Sequence, residues 1–280
     1  MRLRSLLFVP GDRPDRFERA AATGADALIL DLEDSVAPER KAYARSAVRE
    51  WLESGPPARS FVRINPLYSA GTILDDLAAI MPANPTGIVL PKTEGESSVR
   101  ALLELAAAPL PPILPIATET AAAIFQLGSF RAVADHLAGV TWGAEDLPAA
   151  IGATTSREPD GRFTAPYEMV RALTLFGAHS AGVPAIETVF PRINVSQPLA
   201  DYVGRARADG FTGMMAIHPL QIDIINAGFT PSEPEIARAR AIVAAFADAP
   251  DAGALKLDGE MIDRPHLVQA QRILAAAEGA

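Results

Sequence analysis

Eight short, predominantly apolar runs, separated by longer amphipathic segments, constrain the fold of this 280-residue chain more than any other feature. The runs are residues 6–9, 27–30, 61–64, 87–90, 113–116, 139–142, 184–189 and 213–217. Runs that do not alternate with polar residues mark strands buried on both faces, as in a parallel sheet covered by helices. Between them, residues 14–23, 38–52, 70–81, 96–107, 166–180, 197–208 and 219–227 have helical character. Several of these open with proline or carry an acid in the first turn, which is a helix-start signal. Strand–helix alternation repeated eight times predicts an α/β protein, a (β/α)8 TIM barrel rather than an open doubly wound sheet.

A barrel of this kind takes roughly 250 residues, so residues 1–230 are assigned to the barrel catalytic domain. Residues 231–280 break the rhythm. They read as an alanine-rich helix over 231–247, a linker over 248–254, an apolar stretch over 255–262 and a last helix over 265–277. This part is expected to be a C-terminal helical extension that packs on the barrel or on a neighbouring subunit.

Composition narrows the class. Apolar residues make up 49% and charged residues 21%, a globular balance. The net charge of −9 disfavours nucleic acid as a partner. The absence of cysteine excludes a disulfide framework, a thiolate metal site and a thiol nucleophile. The start is basic and then apolar, but the run 6–9 is too short for a secretory leader and reads as a first strand. No stretch approaches the 18 or so apolar residues of a membrane span. The expectation is a cytoplasmic enzyme with no membrane partner.

In such barrels the chemistry lies just past the C-terminal ends of the strands. Reading those positions gives Pro10-Gly11-Asp12-Arg13, Asp31-Leu32-Glu33-Asp34, Arg63-Ile64-Asn65, Pro91-Lys92, Thr118-Glu119-Thr120, Gly143-Ala144-Glu145-Asp146, Glu187 and His218-Pro219. Carboxylates from three strands therefore converge on one mouth, where like charges repel unless a cation joins them. All-oxygen ligands favour a hard ion such as Mg2+. Arg63 offers a planar fork for the carboxylate of an organic acid. Each residue also has a plainer explanation. Asp146 fits a helix cap, Glu119 a first helical turn, and Asp31, Glu33 and Asp34 an ion network with Arg63 or Lys92. Phosphate-loop, dinucleotide, zinc-protease and nucleophile-elbow motifs do not occur.

The ordered set at the strand ends, together with Arg4-Ser5-Leu6-Leu7-Phe8-Val9-Pro10-Gly11-Asp12-Arg13, Ile217-His218-Pro219 and Met261-Ile262-Asp263, resembles the citrate lyase β-subunit-like proteins of the HpcH/HpaI aldolase superfamily, relatives of malyl-CoA lyase. The resemblance spans nearly the whole chain. It implies a Mg2+-dependent lyase, a homotrimer, that cleaves or forms a carbon–carbon bond between an acyl-CoA and a 2-oxo acid. On the matching positions it implies Glu119 and Asp146 as metal ligands and Arg63 as the oxo-acid anchor. The backbone of Gly143, Ala144 and Glu145 would cradle the substrate carboxylate. Asp31, Glu33 and Asp34 would orient metal-bound waters. Arg16, Arg19, His218 and Pro219 would lie along the CoA. Asp263 is the candidate acid that protonates the enolate, supplied by a neighbouring subunit's tail, with Asp258 its local rival. Three readings stay open: a lyase acting on a malyl-, citramalyl- or citryl-CoA-like substrate, the β subunit of a multi-subunit citrate lyase acting on a carrier-bound citryl thioester, and a non-catalytic Mg2+-dependent module that binds an organic acid.

Overall fold

In a computed structural model, which describes residues 1–278, the chain divides into a barrel unit (Met1 and 3–226) and a C-terminal unit (Arg2 and 227–280). The barrel strands are β1 (Ser5–Pro10), β2 (Ala27–Asp31), β3 (Ser60–Arg63), β4 (Gly87–Leu90), β5 (Ile113–Pro115), β6 (Val140–Thr141), β7 (Ala185–Glu187) and β8 (Gly213–Ala216). All their pairings are parallel, in the order β5-β4-β3-β2-β1-β8-β7-β6. Parallel bridges Ile113–Leu137 and Ile116–Thr141 join the two ends of that order, and the sheet closes. The expected (β/α)8 barrel is present.

The helices of the barrel unit are α1 (Phe17–Ala21), α2 (Lys41–Glu53), α3 (Ala70–Ile80), α4 (Gly95–Leu105), α5 (Ala121–Ile124), α6 (Leu147–Ile151), α7 (Ala165–Ala181), α8 (Ser196–Asp209) and α9 (Ile222–Gly228). Helical spacing decides which side each buries. On α2, Ala44, Ala47, Val48 and Leu52 recur at intervals of three and four and face the sheet. Proline in the first turn starts α7, and Gly182 ends it in the left-handed region at φ 71°. Residues 117–138, to which the sequence assigns no helix, hold α5 and a 3-10 segment, Leu127–His136. Among the described residues no helix is long and apolar enough to cross a membrane.

Inside the barrel, one buried cluster contains Leu6, Ile29, Phe61, Val89, Leu114, Ile116, Ile186 and Met215. Side chains two apart on a strand share a face. Ile29 and Phe61 therefore fix where Asp31 and Arg63 point, which is inward, one layer nearer the mouth.

The C-terminal unit contains α10 (Glu233–Asp248), β9 (Ala254–Leu257), β10 (Glu260–Asp263) and α11 (Arg264–Glu278). A capping box between Ser232 and Glu235 opens α10. The strands pair antiparallel around Asp258-Gly259, both at positive φ (49° and 88°), as a two-residue primed turn requires. The extension is thus a helix–hairpin–helix rather than purely helical. Ile242, Phe246, Ile262 and Ala270 form its own core.

Candidate active site

Asp31 and Arg63 are register partners on β2 and β3. Arg63 Nε donates to Asp31 Oδ1 at 2.6 Å and Nη2 to Oδ2 at 2.7 Å. Its Nη1 lies 2.9 Å from Glu33 Oε2, and the guanidinium carbon sits 4.9 Å from the centre of the Phe8 ring. The main-chain N–H groups of Glu33 and Ser35 also donate to Asp31. Burial by itself would raise the Asp31 pKa, but the Arg63 charge and these donors hold it below the ordinary carboxylate range. Glu33 goes the other way: burial raises it despite Arg63 and Lys92. Lys92 Nζ reaches Glu33 Oε1 at 2.5 Å and Asp34 at 3.6 Å, and Asp34 is otherwise exposed. Among the plainer explanations, the ion network is the one realised by Asp31, Glu33 and Asp34.

Glu119 and Asp146 follow β5 and β6, adjacent in the closed barrel. Their carboxyl groups are close enough to share a proton. Burial, then the hydrogen bond with Asp146, push Glu119 up to about 8. Its Oε2 accepts the main-chain N–H of Lys92 at 2.5 Å. Neither helix explanation describes these two acids. Glu119 precedes the N-cap Thr120, and Asp146 occupies the N-cap of α6 without any side-chain capping bond. Gly143 sits against them. A Cβ there would stand 2.6 Å from Glu119 Cγ, so only glycine leaves room for the carboxylate arm.

Both groups open into a cavity of about 660 Å³. Its lining includes Asp31, Arg63, Glu119, Gly143, Ala144, Glu145 and Asp146. Arg16, Arg19, His218 and Pro219 line the same cavity. His218 caps the 3-10 turn Pro219–Gln221. Glu187 is not part of the lining. It is fully buried in the barrel wall, where it accepts Trp142 Nε1 and Arg171 Nε, each at 2.6 Å. In the C-terminal unit, Asp263 Oδ1 lies 2.6 Å from His266 Nδ1, and Asp258 pairs with Arg238 at 2.7 Å. The main-chain contact from Lys92 to Glu119 has no signature in the sequence, because it depends on a backbone twist.

Among the described residues, no group of three or more His, Cys, Asp or Glu side chains is arranged to hold a metal. Two clustered carboxylates, one of them burdened by the other, fit an ion that completes its shell with water and substrate oxygens, as Mg2+ does.

Fold and site together define a (β/α)8 barrel enzyme whose mouth sets paired acids beside a buttressed arginine. The chain belongs to the HpcH/HpaI aldolase/citrate lyase family, whose model matches residues 4–219. It is 37% identical to the citrate lyase subunit beta-like protein of Mycobacterium tuberculosis over 97% of this chain and 94% of that one. It is 31% identical to a (3S)-malyl-CoA thioesterase of Cereibacter sphaeroides over 98% of this chain and 94% of that one. The structure of CitE from M. tuberculosis in complex with magnesium, acetoacetate and coenzyme A superposes with a TM-score of 0.83 at 35% identity, covering 99% of this chain and 98% of that one.

Proposed function

We propose that this protein is a Mg2+-dependent CoA-ester lyase that cleaves or forms a carbon–carbon bond between an acetyl-CoA-type enolate and a 2-oxo acid. The observation that carries the reading is one cavity lined by Glu119 and Asp146, which meet, together with Arg63, Arg16, Arg19 and His218. The magnesium and coenzyme A bound by the similar CitE protein support the same ligand classes here.

In the cleavage direction a 3-hydroxyacyl-CoA gives up its hydroxyl proton to water as the C2–C3 bond breaks. The bond's electrons pass to the thioester as an enolate, and C3 becomes the carbonyl of a 2-oxo acid. Glu119 and Asp146 would hold Mg2+, which when bound supplies Lewis-acid polarisation and a template for the substrate oxygens. Arg63 anchors the oxo-acid carboxylate. Asp31 takes two of its N–H groups and fixes its plane, and Glu33 adds a close opposite charge, leaving N–H groups for the substrate. The backbone of Gly143, Ala144 and Glu145 cradles the same carboxylate. Asp31, Glu33 and Asp34 hold Arg63 and Lys92 in place and would also orient metal-bound waters. Arg16 and Arg19 meet the phosphates of CoA, with His218 and Pro219 beside them. Asp263, contributed by the tail of a second copy in a trimer, donates the proton that quenches the enolate. Residues 231–280 form the separate extension that carries it.

Purified protein incubated with malyl-, citramalyl- and citryl-CoA, with Mg2+ and with chelator, tests the proposal. Mg2+-dependent release of acetyl-CoA and a 2-oxo acid from at least one of them is the expected result. Binding of a 2-oxo acid without turnover of any free thioester contradicts it.

A further inference from the structure

We propose that Lys92 is a positioning residue that ties Glu119 to Arg63 through two separate arms, its main-chain N–H and its ammonium group. What Glu119 and Arg63 bind rests on the lyase reading; the tie itself rests on the coordinates alone.

Lys92 is not among the residues lining the cavity, and its ammonium is engaged by Glu33 and Asp34. Its backbone is held in an unusual state. Ile116 N donates to Leu90 O at 2.9 Å, and Thr93 N donates back to Ile116 O at 3.1 Å. Pro91 and Lys92 are squeezed between two bonds to the same residue, and Lys92 adopts φ 50°. That left-handed conformation is strained for a residue with a Cβ. Its effect is to turn the Lys92 N–H onto Glu119 Oε2 at 2.5 Å.

The side chain runs the other way. Nζ meets Glu33 Oε1 at 2.5 Å, and Glu33 Oε2 stands 2.9 Å from Arg63 Nη1. An unbroken path therefore links Glu119, Lys92, Glu33 and Arg63. If only the N–H mattered, glycine would supply it without strain. If only the ammonium mattered, an ordinary backbone conformation would deliver it. A strained lysine is the residue that serves both ends.

The two arms can be cut independently in the full-length protein, with Mn2+ alone as the probe of the acid pair and glyoxylate in excess Mg2+ as the probe of Arg63. Lys92→Met should weaken glyoxylate binding about tenfold while leaving Mn2+ affinity within about twofold of wild type. Lys92→Arg should restore most of the loss. Because the ammonium acts through Glu33, Lys92→Met should add nothing further in a Glu33→Gln background. Replacing the Lys92 amide by an ester, through its α-hydroxy analogue, should weaken Mn2+ binding roughly tenfold with the side chain intact. Wild-type glyoxylate affinity in Lys92→Met, a full additional loss in the double variant, or wild-type Mn2+ affinity in the ester variant each overturns the proposal. If the wild-type protein binds Mn2+ but no 2-oxo acid, the lyase reading fails, and the ester titration alone decides the tie.

Discussion

Asp31 and Arg63 face each other across neighbouring strands and meet in a two-pronged ion pair with arms of 2.6 and 2.7 Å. Asp31 is fully buried and Arg63 nearly so, which sets the consequence of breaking the pair. Removing one partner of a buried pair strands the other charge, at a cost of about 3–5 kcal/mol. Asp31→Asn should lower stability by that order in denaturant unfolding and weaken 2-oxo-acid binding as well. Arg63→Lys keeps the charge but loses the planar fork. It should weaken 2-oxo-acid binding by about 10–100-fold, since hydrogen bonds to charged groups contribute ~1.5–3 kcal/mol. Calorimetric titration measures both.

With Glu119 as a proposed Mg2+ ligand, its raised pKa predicts a defined pH dependence of metal binding. Pushed up to about 8, the carboxyl is protonated at neutral pH and must release its proton to bind Mg2+. Apparent Mg2+ affinity should rise about tenfold per pH unit up to the pKa and flatten above it. A titration at several pH values that shows no slope contradicts this.

The same shift acts on stability in the metal-free protein. The unfolded chain loses this proton near 4.5 and the folded chain near 8. Between those values the folded state binds the extra proton, so stability falls as pH rises through the window. Thermal unfolding of the metal-free protein from pH 5 to 8 should show the decline. Glu119→Gln, which cannot ionise, should reduce it.

Under the proposed metal assignment, Gly143 serves the site by leaving space for the Glu119 arm. Gly143→Ala would place a methyl group 2.6 Å from Glu119 Cγ and force the carboxylate arm aside. Mg2+ affinity should fall by about 10–100-fold. A variant whose Mg2+ titration matches wild type would show that the arm has room to move.

Arg16 and Arg19 line the same cavity and are exposed. The Arg16→Ala/Arg19→Ala double variant should raise KM for the acyl-CoA about tenfold or more, with Mg2+ affinity unchanged. An unchanged KM would remove these residues from CoA binding.

The barrel was legible because its strands are buried on both faces and leave short, predominantly apolar runs. Residues 117–138 were not, because α5 is a four-residue alanine-rich turn and the 3-10 segment that follows buries Leu127, Phe130 and Val133 at a spacing of three rather than at the period of an α-helix. The hairpin around Asp258-Gly259 did leave a signal, the Asp-Gly pair, but the charges beside it resemble a solvated linker. Strand ends revealed which charged residues reach the mouth. They could not reveal partners, since pairing depends on register: Asp31 meets Arg63 because β2 and β3 align them, and Glu187 turns into the wall toward Arg171. Asp146 marks the limit of local rules. It stands where a cap belongs, yet its carboxylate makes no capping bond and meets Glu119.

The most direct test is thioester cleavage by Glu119→Ala and Asp146→Ala, each assayed across a Mg2+ titration beside the wild type. The proposed function predicts Mg2+-saturable release of a 2-oxo acid by the wild-type protein and loss of that release in both variants at every Mg2+ concentration. Turnover that survives in either variant, or that persists in chelator, contradicts the assignment of these two acids to the metal.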